Sequence, residues 1–219
     1  MEFIQLSEHV HDVHIHDIVF DFYGKRFATC STDSKIQIWS RDENNSKETN
    51  WNAIDIADCH NGCIWRLSWS HPEYGSLIAS CSEDRTVKIW EEQTGVTSDS
   101  TNTYTNSKWL LKATLSDSKK AVNDVKFAPR HLGLKVATAS ADGLVRVYEA
   151  SDVFSLNYWQ LQVCPNTTFI AHLSYITLLI YFIIYMFSTH SIPRSMRVKT
   201  ITTAQVHPSH GMLNTDQHV

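Results

Sequence analysis

At 219 residues the chain holds one large domain or two small ones, and can bury roughly 70% of the surface it exposes unfolded. Its net charge of −4 is spread in both signs, which excludes the basic stripe or tail of a direct nucleic-acid binder. Five cysteines with no C-x-x-C pair, and an N-terminus (MEFIQLSEHVHD) without a basic or apolar leader, favour a reducing compartment and no signal peptide.

The first feature along the chain is EHVHDVHIHD, with His9, His11, His14 and His16 beside Asp12 and Asp17. On a strand, His14 and His16 share a face where a metal could be held. No second His or Cys cluster completes such a site, so the stretch reads as a polar strand entering the first unit, with no metal expected. A strand–connector–strand–turn–strand unit follows, from Asp17 to Ser40. DENNSKETN (42–50) is a polar connector, and Trp51 to Ile56 a fourth strand. The unit recurs from Ile64 to Glu92. There the Ser/Thr/Asn-rich stretch 91–107 reads as a long surface loop before a fourth strand, Lys108 to Leu115. It recurs again from Val122 to Ala150, with Tyr158 to Gln162 as its last strand.

The three copies are in register. Asp33, Asp84 and Asp142 follow the small-residue strands ATCST, ASCSE and ATASA, and stand 51 and 58 residues apart. Six residues beyond each comes an aromatic: Trp39, Trp90 and Tyr148. An Asp can tie a tight turn by accepting backbone N–H groups two residues on. Gly143 suits the positive φ that such a turn requires. In the second unit His60, Ser80 or Ser82, Trp90 and Asp84 can form one hydrogen-bonded network. The first and third units show no obvious equivalent. A catalytic reading of His60, the serines and Asp84 is disfavoured, because a packed sheet offers neither a cleft nor oxyanion donors.

This pattern resembles WD repeats, the four-stranded blades of β-propellers. Within that family HPEYGSLIASCSEDR, KFAPRHLGL, ATASADGLVRVYEASDV and NYWQLQ are similar to the Seh-type nucleoporins, propeller subunits of the Y-shaped nuclear-pore scaffold. A secretory-coat paralogue shares the first stretch but not the third blade. The resemblance implies an all-β fold, a partial propeller of about three four-stranded blades (about 12–58, 60–116 and 121–162). Family rings have six blades. It implies a non-enzymatic scaffold with no cofactor and no small-molecule substrate. Its partner would be a helical scaffold nucleoporin that inserts a blade into the open ring by β-augmentation. Its place would be the nuclear pore and nuclear envelope, in mRNA and protein transport, with a second home at a lysosomal or vacuolar membrane surface.

After Gln162 the pattern stops, and residues 163–219 read as a tail unrelated to the propeller. From Val153 to Pro193 there is no Asp, Glu, Lys or Arg. Phe169 to Phe187 is 19 residues, about 28 Å as a helix, enough to span a membrane. A membrane-anchored propeller fragment is therefore the rival reading. Arg194, Arg197 and Lys199 all follow the run, and the positive-inside tendency would then place the blades in a lumen. A core strand pair is disfavoured by the lack of alternation. The remaining reading is that the segment did not evolve for this fold, as with an alternative exon, intron read-through or a mis-assembled gene.

Overall fold

The computed structural model describes residue 11 and residues 13–41, 51–56, 59–99 and 102–162, with backbone only at 41, 52, 55 and 94–107. The connector at 42–50 and the apolar run Phe169 to Phe187 lie outside the described residues. Alternation of large and small apolar residues produces three four-stranded antiparallel sheets, each a plain meander. The first holds β1 (Ile15–Phe20), β2 (Arg26–Ser31), β3 (Ile36–Arg41) and β4 (Trp51–Ile56). The second holds β5 (Ile64–Trp69), β6 (Leu77–Ser82), β7 (Val87–Asp99) and β8 (Asn102–Leu115). The third holds β9 (Val122–Phe127), β10 (Lys135–Ser140), β11 (Val145–Ala150) and β12 (Trp159–Gln162).

The sheets share their irregularities. β1, β5 and β9 each carry a register shift near the start, between Ile15 and Asp17, Ile64 and Arg66, and Val122 and Asp124. The β2–β3, β6–β7 and β10–β11 turns each place the residue after the Asp in the left-handed region: Ser34, Arg85 and Gly143. Pro72–Tyr74 and Arg130–Leu132 form short 3-10 turns that end on Gly75 (φ 86, ψ −178) and Gly133 (φ 82, ψ −179). That backbone conformation is open almost only to glycine, which explains the YGS and LGL steps.

Each sheet has two unlike faces. The β6–β7 face toward the third sheet carries Ala79, Cys81, Val87 and Ile89, which bury against Val122, Val125, Val136 and Tyr148. The opposite face, with Ile78 and Trp90, buries against Ala28, Cys30, Ile36 and Ile38 of the first sheet. A small-residue face thus meets a large-residue face at both junctions, so the backbones approach and the side chains interdigitate without voids. Burial raises the thiol pKa of both Cys30 and Cys81, so they act as small apolar side chains. The free cysteines among the described residues are Cys30, Cys59, Cys63 and Cys81.

Polar clamps fix the junctions. The Leu67 N–H donates to Asp17 Oδ2 at 3.0 Å, with Arg66 beside it, and the Phe127 N–H donates to Ser68 Oγ at 2.9 Å. Arg26 donates to Glu92 and Ser76 and lies 5.2 Å from the centre of the Trp69 ring.

One local expectation is overturned. The stretch 91–107 is not a loop. β7 and β8 stay paired from Val87↔Leu115 out to Asp99↔Asn102, a long two-stranded arm. Threonine, tyrosine and valine favour strand backbone however polar the stretch, and an antiparallel ladder satisfies its own N–H and C=O groups.

Candidate functional site

In the second sheet the four network residues form one chain of hydrogen bonds. The Trp90 indole N–H donates to Ser80 Oγ at 3.0 Å, and Ser80 Oγ lies 2.8 Å from His60 Nε2. His60 Nδ1 lies 2.9 Å from Asp84 Oδ2. One proton arrangement satisfies every link: Nδ1–H donates to the carboxylate, the Ser80 hydroxyl donates to Nε2, and the indole donates to the same hydroxyl. Asp84 also accepts from the Asn61 N–H and from both the N–H and hydroxyl of Thr86. Burial works against the charged Asp84. The Thr86, Asn61 and His60 contacts outweigh it and hold the carboxyl at about 2. Burial lowers the pKa of His60 and keeps it neutral, despite the nearby Asp84 charge. Ser82 stands one step away, and its Oγ accepts the Asp84 N–H at 3.1 Å.

The first sheet contains the same network, contrary to expectation. Trp39 Nε1–H donates to Thr29 Oγ1 at 3.1 Å. Thr29 Oγ1 lies 3.1 Å from His11 Nε2, and His11 Nδ1 lies 2.8 Å from Asp33. So His11, one of the four N-terminal histidines, belongs to the first blade's network. His16, by contrast, reaches Thr32 Oγ1 at 2.9 Å and packs on Trp65. Among the described residues no group of three His, Cys, Asp or Glu could hold a metal ion.

The third sheet solves the same problem with different residues. Ser118 stands where His60 stands, and the Lys119 N–H donates to Asp142 as the Asn61 N–H donates to Asp84. Arg146 fills the missing ring's place and donates to both Asp142 oxygens (3.2 and 2.7 Å) and to Ser118. Burial opposes the Asp142 charge, but Arg146 and the Lys119 and Leu144 N–H groups hold its carboxyl at about 2. Tyr148 replaces the indole and sends its hydroxyl to Asp117 at 3.0 Å. This leaves the buried Thr138 Oγ1, the counterpart of Ser80, without a partner. Thr138→Val removes that orphan at nearly constant shape. It should leave stability unchanged or raise it by about 1 kcal/mol in a urea melt, whereas Ser80→Ala should lower it by about 1 kcal/mol.

The hydroxyls and the imidazole of the second blade's network are closed off from solvent. Ser80 and Ser82 are fully buried between sheets, and the Ser80 hydroxyl is committed to both His60 and Trp90. A pocket between the first two sheets, lined by Asp21, Phe22, Tyr23, Trp69 and Pro72, includes none of the network residues.

Three Asp-anchored turns in register, two of them with a complete His–Ser/Thr–Trp–Asp chain, are the signature of one repeat family. The profile of the WD domain, G-beta repeat, matches residues 4–40, 52–91 and 109–149. The chain belongs to the WD-repeat family. Its WD repeats are 49% identical over 148 residues to nucleoporin SEH1-B of Xenopus laevis. They are 47% identical over 148 residues to nucleoporin SEH1 of Homo sapiens and 45% identical to that of Danio rerio. Each of these matches covers 68% of this chain and 39% of the relative, so the chain spans about two fifths of those proteins' length. Among the described residues no helix is long and apolar enough to cross a membrane.

Proposed function

We propose that these blades serve as a non-enzymatic docking platform of the nuclear-pore scaffold. The observation that supports this reading is the 49% identity to a nucleoporin over 148 residues of the chain. The blade networks spend their buried hydroxyls, histidines and carboxylates on each other, and the sheets hold strand edges and loops in fixed positions. The partner in this reading is a helical scaffold nucleoporin that adds a β-blade beside the first blade. The setting is the pore and nuclear envelope. A coat-like complex at a lysosomal or vacuolar surface is a second setting for the same mode of docking. Affinity purification of the tagged full chain at physiological salt tests the proposal. It should recover a helical nucleoporin in near-stoichiometric amount. Recovery of the chain alone, at native expression and low detergent, would overturn it.

A further inference from the structure

The β1–β2 turn presents two aromatic rings to solvent. Phe22 is 64% exposed and Tyr23 is 68% exposed, at positions where turns ordinarily place polar residues. The turn holds them in place. The Asp21 N–H donates to the Arg26 carbonyl, and the Asp21 carboxylate accepts the Lys25 and Arg26 N–H groups. Gly24 closes the turn in the left-handed region (φ 66). The Phe22 ring meets Tyr23 edge to face at 5.3 Å and His71, from the second blade, at 4.8 Å. Phe22 and Tyr23, with Trp69 and Pro72, line the pocket between the first two blades, and the small residues Gly75 and Ser76 complete its wall. Its volume is about 90 Å³, room for one small side chain and far below the roughly 300 Å³ that a drug-sized ligand needs.

We infer that this pocket docks a short, uncharged, proline-rich segment of a partner protein in the polyproline II conformation. The charges around it select a neutral occupant. The Arg26 guanidinium lies over the Trp69 ring, 5.2 Å from its centre, where a ligand cation would otherwise sit. Arg26 also donates to Glu92 at 2.6 Å, to Ser76 and to Asp21, so two carboxylates balance its charge and leave little to attract an anion. The lining then selects among neutral occupants. A helix in a groove needs anchors one and two turns apart, and a pocket of this size takes a single anchor. Strand addition needs a free strand edge, whereas Phe22, Tyr23 and Pro72 stand on a turn and a connector. A polyproline II segment matches both features: its rings pack on aromatic faces, and its carbonyls have no internal partner. The Tyr23 hydroxyl and the Trp69 indole N–H make no hydrogen bond among the described residues, so both are donors for those carbonyls. A turn already fixed by its own hydrogen bonds and a ligand already extended also keep the ordering cost of binding low. This inference does not rest on the nuclear-pore reading.

The test titrates the full chain into fluorescently labelled peptides and reads anisotropy. The probes are Pro-Pro-Leu repeats, the same peptide with every Pro replaced by Gly, and versions carrying a central trimethyl-lysine or phosphoserine. The Pro-Pro-Leu peptide should bind saturably, and the Gly peptide at least tenfold more weakly. Phe22→Ala and Tyr23→Ala should each weaken binding about tenfold, the loss of one aromatic anchor. Both side chains are exposed, so thermal melts of the two variants should match the parent. A second readout locates the site. In ¹H–¹⁵N spectra the Trp69 indole signal, assigned with Trp69→Phe, should shift on adding the peptide, while that of the buried Trp90 stays in place. Equal binding of the Gly peptide, preference for either charged peptide, or binding unchanged in both alanine variants would overturn the inference. So would a stationary Trp69 signal, or no binding of the Pro-Pro-Leu peptide at millimolar concentration.

Discussion

Trp90→Ala lowers the free energy of unfolding by about 3–5 kcal/mol, the range for emptying an aromatic site in a packed core. The ring is nearly fully buried, at the junction where the first blade's small-residue face meets the second. Its removal opens a cavity there and takes the donor from Ser80. Trp90→Phe separates the two effects. It retains most of the apolar volume but lacks the indole N–H. It should cost about 1–2 kcal/mol, the scale of one buried hydrogen bond plus a small packing defect. Urea melts followed by circular dichroism read both. A Phe variant as stable as the parent would remove the network from the energetics of the blade.

The second large effect is at Asp84. Asp84→Ala strips the acceptor from the His60 ring, the Asn61 N–H and both donors of Thr86. It should cost about 3 kcal/mol, since hydrogen bonds to a charged group contribute about 1.5–3 each and those at the exposed rim find water instead. The pH profile carries a matching signature. Asp84 titrates at about 2 in the fold against an ordinary 3.8. Its contribution is therefore complete above about pH 4 and is lost as the pH falls toward 2. His60 is lowered by burial from an ordinary 6.5. The unfolded chain takes up that proton first, so stability also declines as the pH drops below 6.5. Asp84→Asn keeps the shape of the turn and should make the limb between about pH 4 and 2 shallower, with Asp142 and Asp33 carrying the remainder. Thermal melts along a pH series check this. An unchanged acid limb would mean that Asp84 does not carry it.

The repeat itself was legible because three constraints coincide. The aspartate must close a turn, the strand before it must be small where sheets touch, and the strand after it must end on a ring that fills the junction. The second blade's network was legible for the same reason, with His60, Ser80, Trp90 and Asp84 at plain spacings. Its twin in the first blade was hidden by two small changes. His11 precedes Asp33 by 22 residues where His60 precedes Asp84 by 24, and Thr29 does the work of Ser80. His11 also stands among three other histidines, a pattern that equally suits a metal site. The third blade could not be read by analogy at all. Its solution pairs Arg146 with Asp142 and Tyr148 with Asp117, and only coordinates bring those side chains together. The polarity of the β7–β8 arm hides residues that favour strand backbone, so its composition alone looks like that of a loop.

Imaging the endogenously tagged full chain in cells, with nuclear pores marked in a second colour, tests the docking role most directly. A punctate nuclear rim in register with the pores, lost when a helical scaffold nucleoporin is depleted, is the expected result. A diffuse or reticular signal that ignores the pores and survives that depletion would contradict it.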